Sequence, residues 1–456
     1  MQEMRLAQIL LTLNGRILRP AEDVVVTGVS ADSRLTRRGD LFFALVSERD
    51  GHAFVNDAAR AGAAAAVVSR RIDVDLPMIE VPDTLKALGD LARAYRLTHD
   101  IPIVAVTGSV GKTTTKEMIG AVLERKYSTL KSEKNYNNDI GVPLTLLRLT
   151  PDHQAAVLEM AMRGSGEIYR LVNIARPTIA VITNVGLSHI GRLGSLEAVA
   201  DAKAEILEGL PSNGLAVLNG DDERFELVRS RRVGRTVVFG TGEFCDIRAT
   251  DVRIHPDGHP TATVLTPKGR TDLDLVVVGE HNVWNALAAI AVGIELGVPL
   301  DEARSALAVL KPPTMRSNLI SSPLGFTVIN DAYNAGPASM ASAVRTLAAM
   351  EASRRIAVLG DMLELGDYAD RAHLDIGRIV GERGIDQLVT VGEMSRRIAE
   401  GAVDAGLAAA NILSYDSGSE VASDLKPRLR AGDLVLVKGS RGMKMETVVE
   451  DLLGER

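Results

Sequence analysis

The sequence predicts an α/β protein of three domains, with a central parallel sheet that carries helices on both faces. Three observations support this prediction. The chain has 456 residues, which is more than a single hydrophobic core normally contains. Continuous apolar runs of strand length alternate with helical segments, a pattern typical of parallel sheets buried on both faces. Adjacent prolines at 312 and 313 interrupt the helical pattern and mark a domain boundary.

The first predicted domain spans residues 1–98. A helix in "MQEMRLAQILLTLNGR" opens it, and a helix over 83–99 closes it. The apolar, β-branched runs between these helices predict strands at the following positions: 23–30, 40–46, 64–69 and 77–81.

The second predicted domain spans residues 99–312. Its strands are the apolar runs "IPIVAV", "AAVLEMA", "TIAVITNV" and "LAVLNG", which are bounded by Gly, Asn or Asp. Residues 245–278 alternate between polar and apolar types, which predicts a small antiparallel insert. The run "NVWNALAAIAVGIELG" predicts a helix directly after it.

The third predicted domain spans residues 313–456 and is expected to be Rossmann-like. Its strands are "FTVIND", "RIAVLGD", "QLVTVG" and "LVLVKGS", and each ends in Gly, Asp, Asn or Ser. Ligands of open α/β sheets bind at these carboxyl ends of the strands.

Charge and cysteine content exclude several classes of function. The net charge is −7, from 52 basic and 59 acidic residues, so the chain lacks the basic excess that nucleic acids or anionic membranes require. The single cysteine, Cys245, cannot form an intrachain disulfide, which fits a reducing compartment. The sequence shows neither a signal peptide nor an apolar run long enough to span a membrane. We therefore expect a cytoplasmic protein without membrane insertion, and a monomer.

The stretch "IVAVTGSVGKTTTKEMIGAVL" at 103–123 resembles a P-loop, in which backbone N–H groups and a helix N-terminus bind phosphate. Val106 stands where the full pattern has its first glycine. Lys112 is expected to contact the β- and γ-phosphates, and the Thr113 hydroxyl to bind Mg²⁺. The alternative is a glycine-rich turn that only caps a helix. The candidate nucleotide-binding residues of this loop are Thr107, Gly108, Ser109, Val110, Gly111, Lys112, Thr113 and Thr114.

Glu159 and His189 follow the next strands and are candidate metal ligands. A Glu or His at a strand end can equally be an ordinary solvated polar group. Lys203 lies in the helical run "LEAVADAKAEILEGL", and the helical pattern alone predicts that it is a surface lysine.

At this point the sequence resembles a known family. The loop, the spacing from Asn184 to His189, and "GEHNVWNALAA" at 279–289 are together similar to the Mur ligases, ATP-dependent amide-forming enzymes of peptidoglycan precursor synthesis. Three later motifs, "NDAYNAGPASM", "LGDMLELGDYADRAH" and "VLVKGSRGMKME", look like the members that add D-alanyl-D-alanine to UDP-N-acetylmuramoyl-tripeptide. The Asp-Asn-Pro-Arg signature of the ligases that add the third amino acid is absent.

The resemblance implies ATP, a pair of Mg²⁺ ions and an acyl-phosphate intermediate. It assigns catalytic roles to Lys112, His189, Lys203 and Arg316, with Arg316 acting like an arginine finger once the domains close. It also implies that Thr113, Glu159, His189 and a carbamylated Lys203 bind the metal.

The same resemblance assigns the remaining ligand contacts. It implies that ATP is contacted by Arg316 and by the following residues: His281, Asn282, Asn285, Asp331, Tyr333 and Asn334. For the UDP-linked substrate and the dipeptide it implies Asp32, Ser33, Arg34, His52, Asn137, Asn138, Lys438 and Arg441. A polar helix cap at 280–282 and a solvated turn at 32–34 are the alternatives for two of these groups.

Two positions depart from the family pattern, because Gly336 stands where Asn is more usual and Ala161 where Gly is more usual. Other functions stay open at this stage. These are a third-residue-adding Mur ligase, folylpolyglutamate synthetase, a P-loop kinase or NTPase, and a sugar-nucleotide-binding protein without enzymatic activity.

Overall fold

The computed structural model describes residues 1–19, 24–133 and 135–454, and it contains three domains that are each built around one main sheet. The predicted α/β class is therefore confirmed. Asp23, the first residue of one predicted strand, lies outside the described residues. Within the described ranges, no helix combines the length and the apolar character needed to cross a membrane.

The N-terminal domain has a five-stranded sheet in the order β2-β7-β6-β5-β4, and β1 pairs with β3 beside it. Strands β4 to β7 run parallel, and β2 is the antiparallel edge. Asp83 begins α3 by accepting hydrogen bonds from two backbone N–H groups of the first turn, at 2.9 and 3.0 Å. The elements are β1 Met4–Arg5, α1 Leu6–Leu13, β2 Arg16–Arg19, β3 Val25–Val26, β4 Gly28–Ser30, β5 Asp40–Phe43, α2 Val55–Arg60, β6 Ala65–Val68, β7 Met78–Glu80 and α3 Thr84–Arg96.

The central domain has a nine-stranded sheet in the order β16-β15-β14-β13-β12-β11-β8-β10-β9. Its elements from the first half are β8 Ile103–Thr107, α4 Lys112–Leu123, β9 Thr129–Lys131, α5 Gly141–Leu146, β10 Ala155–Glu159, α6 Glu167–Ala175, β11 Ile179–Ile182, α7 Ile190–Leu193 and α8 Leu196–Glu208. Those from the second half are β12 Leu215–Asn219, α9 Phe225–Ser230, β13 Arg235–Gly240, β14 Ile247–Ile254, β15 Pro260–Thr266, β16 Gly269–Asp274, α10 Asn282–Glu295 and α11 Leu300–Leu307.

Strands β14, β15 and β16 differ from the expected separate insert. They pair antiparallel with one another, as predicted, but β14 also pairs in parallel with β13. The three strands therefore extend the central sheet. The polar/apolar alternation in the sequence indicated the antiparallel strands correctly. It carries no information about which further strand pairs with β14.

The middle of the central sheet is covered by helices on both faces. Val104 and Val106 pack towards α4, α10 and α11, whereas Ile103 and Ala105 face the helices of the opposite layer. Because successive strand residues point to opposite faces, a strand between two helical layers has to be apolar throughout. All five residues of β8 are accordingly buried.

The C-terminal domain has a six-stranded sheet in the order β17-β18-β22-β19-β20-β21, which is parallel except for β17. The half-exposed edge strands β17 and β21 were not predicted. The elements are β17 Asn318–Ser321, β18 Thr327–Asn330, α12 Pro337–Ala349, β19 Arg354–Gly360, α13 Ala369–Glu382, β20 Gln387–Val391, α14 Arg396–Asp404, β21 Ile412–Tyr415, α15 Gly418–Leu425, β22 Asp433–Lys438 and α16 Glu446–Leu453.

The central domain contacts both of its neighbours. Towards the N-terminal domain, the buried Arg96 guanidinium donates to the carbonyl of Ala175 at 3.0 Å, and the Tyr95 hydroxyl donates to that of Leu149 at 2.7 Å. Towards the C-terminal domain, the Glu351 N–H donates to the Pro256 carbonyl at 2.7 Å. The carboxyl ends of β8, β10 and β11 face this second junction, where the candidate site lies.

Candidate active site

The loop between β8 and α4 is held in shape by Asn184, which follows β11. The Val110 N–H donates to Asn184 Oδ1 at 2.9 Å, and Asn184 Nδ2 donates back to the Val110 carbonyl at 2.9 Å. The Ser109 N–H donates to the Asn184 carbonyl at 3.0 Å. One asparagine therefore fixes two successive loop residues.

Two glycines in the loop are required by close contacts. Gly108 has φ of 149°, and a Cβ there would lie 1.9 Å from Thr183 Oγ1. Gly111 has φ of 87°, and its Cβ would lie 2.5 Å from Asn285 Oδ1. By contrast, Val106 is a buried residue of β8, which explains why the missing glycine of the usual pattern leaves this turn intact.

Lys112 begins α4, and its ammonium group points back into the loop. Its Nζ donates to the Gly108 carbonyl at 2.7 Å and lies 3.4 Å from that of Ser109. Burial lowers the pKa of Lys112, the Glu159 carboxylate opposes this shift, and the charge of Arg316 adds to it. A cation at the centre of a loop that precedes a helix N-terminus is suited to binding phosphate.

Glu159, at the end of β10, is buried and holds two of the predicted residues. Thr113 Oγ1 donates to Glu159 Oε2 at 2.8 Å, and Asn137 Nδ2 donates to Glu159 Oε1 at 2.8 Å. Hydroxyl and carboxylate oxygens are ligands that Mg²⁺ accepts, usually together with substrate phosphates and water. Thr113 and Glu159 therefore fit one Mg²⁺ ion beside the phosphate loop.

No preformed cage of three or more His, Cys, Asp or Glu side chains exists in the described part of the chain. An incomplete protein shell is typical of Mg²⁺ sites that are completed by a nucleotide.

His189 lies at the junction with the C-terminal domain. Its Nδ1 lies 2.7 Å from Glu364 Oε2, and its backbone is left-handed with φ of 62°. Burial lowers the pKa of His189, the Glu364 carboxylate opposes this shift, and the charges of Lys112 and Lys203 add to it. The imidazole therefore lies within electrostatic reach of both lysines.

Lys203, on α8, is only 2% exposed, so the prediction of a surface lysine is wrong. Its ammonium has no hydrogen bond or ion pair within residues 1–19, 24–133 and 135–454. Burial, with a further contribution from Lys112, lowers the pKa of Lys203 well below its ordinary value. A buried ammonium without a partner is costly, so this position favours a neutral or chemically modified amine.

Arg316 reaches the site from the C-terminal side of the double proline. Its guanidinium lies over the ring of Tyr333, with Cζ 4.3 Å from the ring centroid. The Arg441 guanidinium lies near the same ring, at 5.9 Å. Tyr333 therefore groups two arginines that the sequence separates by more than a hundred residues.

Asp331 and Lys438 form a buried pair at the ends of β18 and β22. Lys438 Nζ donates to Asp331 Oδ2 at 2.5 Å and to the Asn334 carbonyl at 3.0 Å. Asn334 Oδ1 accepts the Arg441 N–H at 3.2 Å. Arg441 Nη1 also donates to Glu446 Oε1 at 2.8 Å. The predicted residues of this domain therefore lie together at one sheet edge.

The residues predicted to bind ATP around the start of α10 make hydrogen bonds to other protein side chains. His281 Nδ1 lies 2.9 Å from Ser342 Oγ of the C-terminal domain. Asn285 Oδ1 accepts from Thr115 Oγ1 at 3.0 Å, and Asn285 Nδ2 donates to Asn282 Oδ1 at 2.9 Å. Asn285 therefore connects α10 to α4 beside the phosphate loop, and Asn282 supports it.

The predicted residues of the N-terminal domain form internal contacts away from the phosphate loop. Arg34 Nε donates to Asp32 Oδ1 at 2.9 Å, and Ser33 lies between them in the same turn. His52 is buried; its Nε2 accepts the Ser69 N–H at 2.9 Å, and its Nδ1 lies 2.6 Å from Asp50 Oδ1. The ring of His52 thus braces its own domain.

Asn138 caps α5. Its Oδ1 accepts the Ile140 N–H at 3.2 Å and the Gly141 N–H at 2.9 Å. This role is local to the turn, whereas the neighbouring Asn137 faces Glu159.

Two features near the site were not predicted. The sequence assigned no role to Glu364, although the motif that contains it, "LGDMLELGDYADRAH", was recognised. Asp221 follows β12, and its Oδ2 accepts the indole N–H of Trp284 at 2.7 Å. Its position directly after an apolar strand is the signal that could have indicated it.

The chain is similar to known proteins over nearly its whole length. The Mur ligase middle domain matches residues 106–293, and the family described as "Mur ligase, glutamate ligase domain" matches residues 315–441. The UDP-N-acetylmuramoyl-tripeptide--D-alanyl-D-alanine ligase of Bacillus subtilis (strain 168) is 40% identical over 448 residues, which cover 97% of this chain and 96% of the relative.

Solved structures extend the similarity to the whole fold. The crystal structure of MurF from Acinetobacter baumannii has a TM-score of 0.92 and 33% identity, covering 99% of each chain. MurF ligase from Thermotoga maritima, solved in complex with ADP, has a TM-score of 0.83 and 30% identity over 94% of this chain and 98% of that chain.

Proposed function

The chain belongs to the Mur ligase family, and we propose that it joins D-alanyl-D-alanine to UDP-N-acetylmuramoyl-tripeptide in peptidoglycan synthesis, with ATP converted to ADP and phosphate. The relatives that match almost the full length carry this activity in their names. The observation that carries the proposal is the loop at the start of α4, where Lys112 Nζ lies 2.7 Å from the Gly108 carbonyl oxygen and Thr113 Oγ1 donates to Glu159 Oε2 at 2.8 Å.

The reaction starts with two anions. A carboxylate oxygen of the tripeptide attacks the γ-phosphorus of ATP, the bond to the β–γ bridging oxygen breaks, and ADP leaves. We assign to Lys112 and Arg316 the role of reducing the repulsion at this step, since positive charges stabilise the negative charge that develops on a transferred phosphoryl group. The product is an acyl phosphate.

The second step forms the amide. The amino group of D-alanyl-D-alanine attacks the acyl carbon, the carbon–oxygen bond to phosphate breaks, and inorganic phosphate and a proton are released. Contact between the central and C-terminal domains encloses this centre and limits the access of water to the acyl phosphate.

Mg²⁺ fits the residues at the loop. Thr113, Glu159 and His189 would hold one ion, and Lys203 in its carbamylated form would support a second. When bound, the metal neutralises phosphate charge. An unmodified lysine ammonium would repel a cation, whereas the carbamate made from its neutral amine and CO₂ carries oxygen donors. The burial of Lys203 and its lack of a partner within the described ranges support this modification.

We assign the remaining contacts on the family pattern. His281, Asn282, Asn285, Asp331, Tyr333 and Asn334 surround the adenosine, and Lys438 and Arg441 the dipeptide. Asp32, Ser33, Arg34, His52, Asn137 and Asn138 serve the UDP-linked substrate. His52 and Asn138 act by shaping their loops, because their polar atoms are already used internally. We set the domain boundaries at 1–98, 99–312 and 313–456, and we propose a monomer.

Phosphate release from ATP tests the proposal. It is measured with UDP-N-acetylmuramoyl-tripeptide alone, with D-alanyl-D-alanine alone, and with both, and the product is weighed by mass spectrometry. Sustained release only with both substrates, and a product heavier by the dipeptide minus water, is the expected result. A single amino acid acting as the better acceptor would identify a different Mur ligase and overturn the dipeptide assignment.

A further inference from the structure

The loop at residues 361–366, which follows β19, is fixed on its own domain. The Leu363 N–H donates to Ser440 Oγ at 2.9 Å, and the Met362 N–H donates to His373 Nε2 at 2.9 Å. Asp361 Oδ1 accepts the Ser395 N–H at 2.7 Å. The loop thus has a defined shape that does not depend on the central domain. We call it the clasp loop.

The clasp loop lies against the turn that carries His189. The Gly191 N–H donates to the Glu364 carbonyl at 3.2 Å, while Glu364 Oε2 lies 2.7 Å from His189 Nδ1. A Cβ at Gly191 would lie 2.7 Å from the backbone nitrogen of Gly366 and 2.9 Å from the backbone carbonyl oxygen of Glu364. The two backbones therefore meet directly, and any side chain at Gly191 would separate them.

Backbone conformation on both sides of the contact is unusual. His189 has φ of 62° and Glu364 has φ of 65°, in the left-handed region that residues with a side chain rarely adopt. Such conformations persist where the surroundings fix them, and they concentrate at functional sites. An incidental ion pair on the protein surface would not require a left-handed backbone conformation in both residues.

We propose that the clasp loop couples domain closure to the catalytic site, with Glu364 as the residue that positions His189. The Glu364 carboxylate accepts a hydrogen bond from Nδ1–H, which fixes the tautomer of His189 and leaves Nε2 as the unprotonated acceptor nitrogen. The inference rests on the proposed ligase function, because it gives closure a role in completing the site.

Ser440 extends this coupling towards the dipeptide side of the C-terminal domain. Its hydroxyl accepts the Leu363 N–H and donates to the Ala335 carbonyl at 3.1 Å, between the proposed dipeptide residues Lys438 and Arg441. The clasp loop is thus attached to the strand end that the acceptor amine approaches.

Three variants of the full-length chain test the proposal. Gly191→Ala inserts a methyl group between the two domains, and it suits the helix α7 in which Gly191 lies. Glu364→Ala removes the carboxylate, whereas Glu364→Gln retains an oxygen that can accept from Nδ1. Gly164→Ala, where a Cβ meets nothing closer than 3.7 Å, and Glu382→Gln, on the exposed end of α13, are the matched controls.

The first measurement is amide hydrogen exchange over residues 187–195 without nucleotide, since the Gly191 N–H is donated across the junction. Gly191→Ala should accelerate exchange there and leave a peptide from α10 unchanged. The second measurement separates kcat from KM. Gly191→Ala and Glu364→Ala should lower kcat by about 10- to 100-fold, with little change in KM for the UDP-linked substrate. Glu364→Gln should retain more of the activity than Glu364→Ala.

Unchanged exchange and unchanged kcat in Gly191→Ala, with a folded protein by thermal melting, would overturn the proposal. A loss of kcat that is equal in the two control variants would do the same. If the wild-type chain shows no ligase activity, the proposed function fails, and the exchange experiment still decides whether the domains meet through this loop.

Discussion

The guanidinium carbon of Arg316 lies 4.3 Å from the centroid of the Tyr333 ring, so the aromatic face holds a cation that donates no hydrogen bond within the described part of the chain. Arg316→Ala should lower kcat by about a thousandfold, because arginines of this kind stabilise the charge of phosphoryl transfer. Arg316→Lys should recover little, since a lysine keeps the charge and loses the planar stacking. Steady-state phosphate release measures both variants, and Arg304→Ala, at an exposed position, is the control. Activity of Arg316→Ala near the wild-type level would refute the role of Arg316 in phosphoryl transfer.

Lys112 is expected to be essential for ATP turnover. Lys112→Ala removes the cation from the phosphate loop and should reduce kcat by about 10²- to 10³-fold, as the loss of one preorganised charge does. The exposed Lys86→Ala, on α3, is the control. Turnover of Lys112→Ala equal to that of Lys86→Ala would mean that the loop only caps α4.

Replacing Lys203 should stabilise the protein while it inactivates the enzyme. Lys203→Met exchanges a buried amine without a partner for an apolar side chain of similar length, which should raise the free energy of unfolding by about 1–3 kcal/mol. The comparison uses urea unfolding in bicarbonate-free buffer, so that both proteins are unmodified. Lower stability of Lys203→Met would show that the lysine has a favourable partner, and full activity would exclude a metal-supporting role.

His52 is expected to act through the stability of the N-terminal domain. His52→Ala leaves the partly buried Ser69 N–H without its acceptor, and the loss should be about 1–3 kcal/mol of unfolding free energy. Thermal melting measures the loss, and affinity for ADP should be unchanged because the ring lies away from the phosphate loop. A large rise in KM for the UDP-linked substrate at unchanged stability would instead indicate direct contact with that substrate.

Cys245 should react slowly and respond to pH in a defined direction. Burial raises the pKa of the Cys245 thiol from 9.0 to about 11. A thiol whose pKa rises on folding stabilises the native state below its unfolded pKa, so this contribution is lost as the pH rises from about 9 to 11. At pH 8, alkylation by iodoacetamide should be at least about a hundredfold slower in native protein than in urea. Equal rates in the two states would contradict the buried position.

Short-range patterns account for what the sequence predicted correctly. The phosphate loop depends on residues within one turn, and Gly108 and Gly111 are required there by their own backbone angles and contacts. The fully buried strands of the central sheet were visible as apolar runs, whereas β13 and the edge strands β9, β17 and β21 carry more polar or exposed positions and were missed.

Long-range packing accounts for what the sequence could not predict. Helical periodicity on α8 gave no sign that Lys203 would be buried, since that depends on the elements packed around it. The contact of His189 with Glu364 joins positions 175 residues apart, and it exists only in one arrangement of two domains. His52 lies in a turn sequence that predicts nothing about its partner, which is the N–H of Ser69, directly after β6.

Trp284 is the only tryptophan in the chain, and its indole N–H is bound to Asp221 at the end of β12. It lies on α10 next to Asn285, the residue that contacts Gly111 of the phosphate loop. Tryptophan emission therefore comes from one place, a few residues from the nucleotide site. The chain carries its own optical probe, and ADP titrations can be followed by intrinsic fluorescence without attaching a dye.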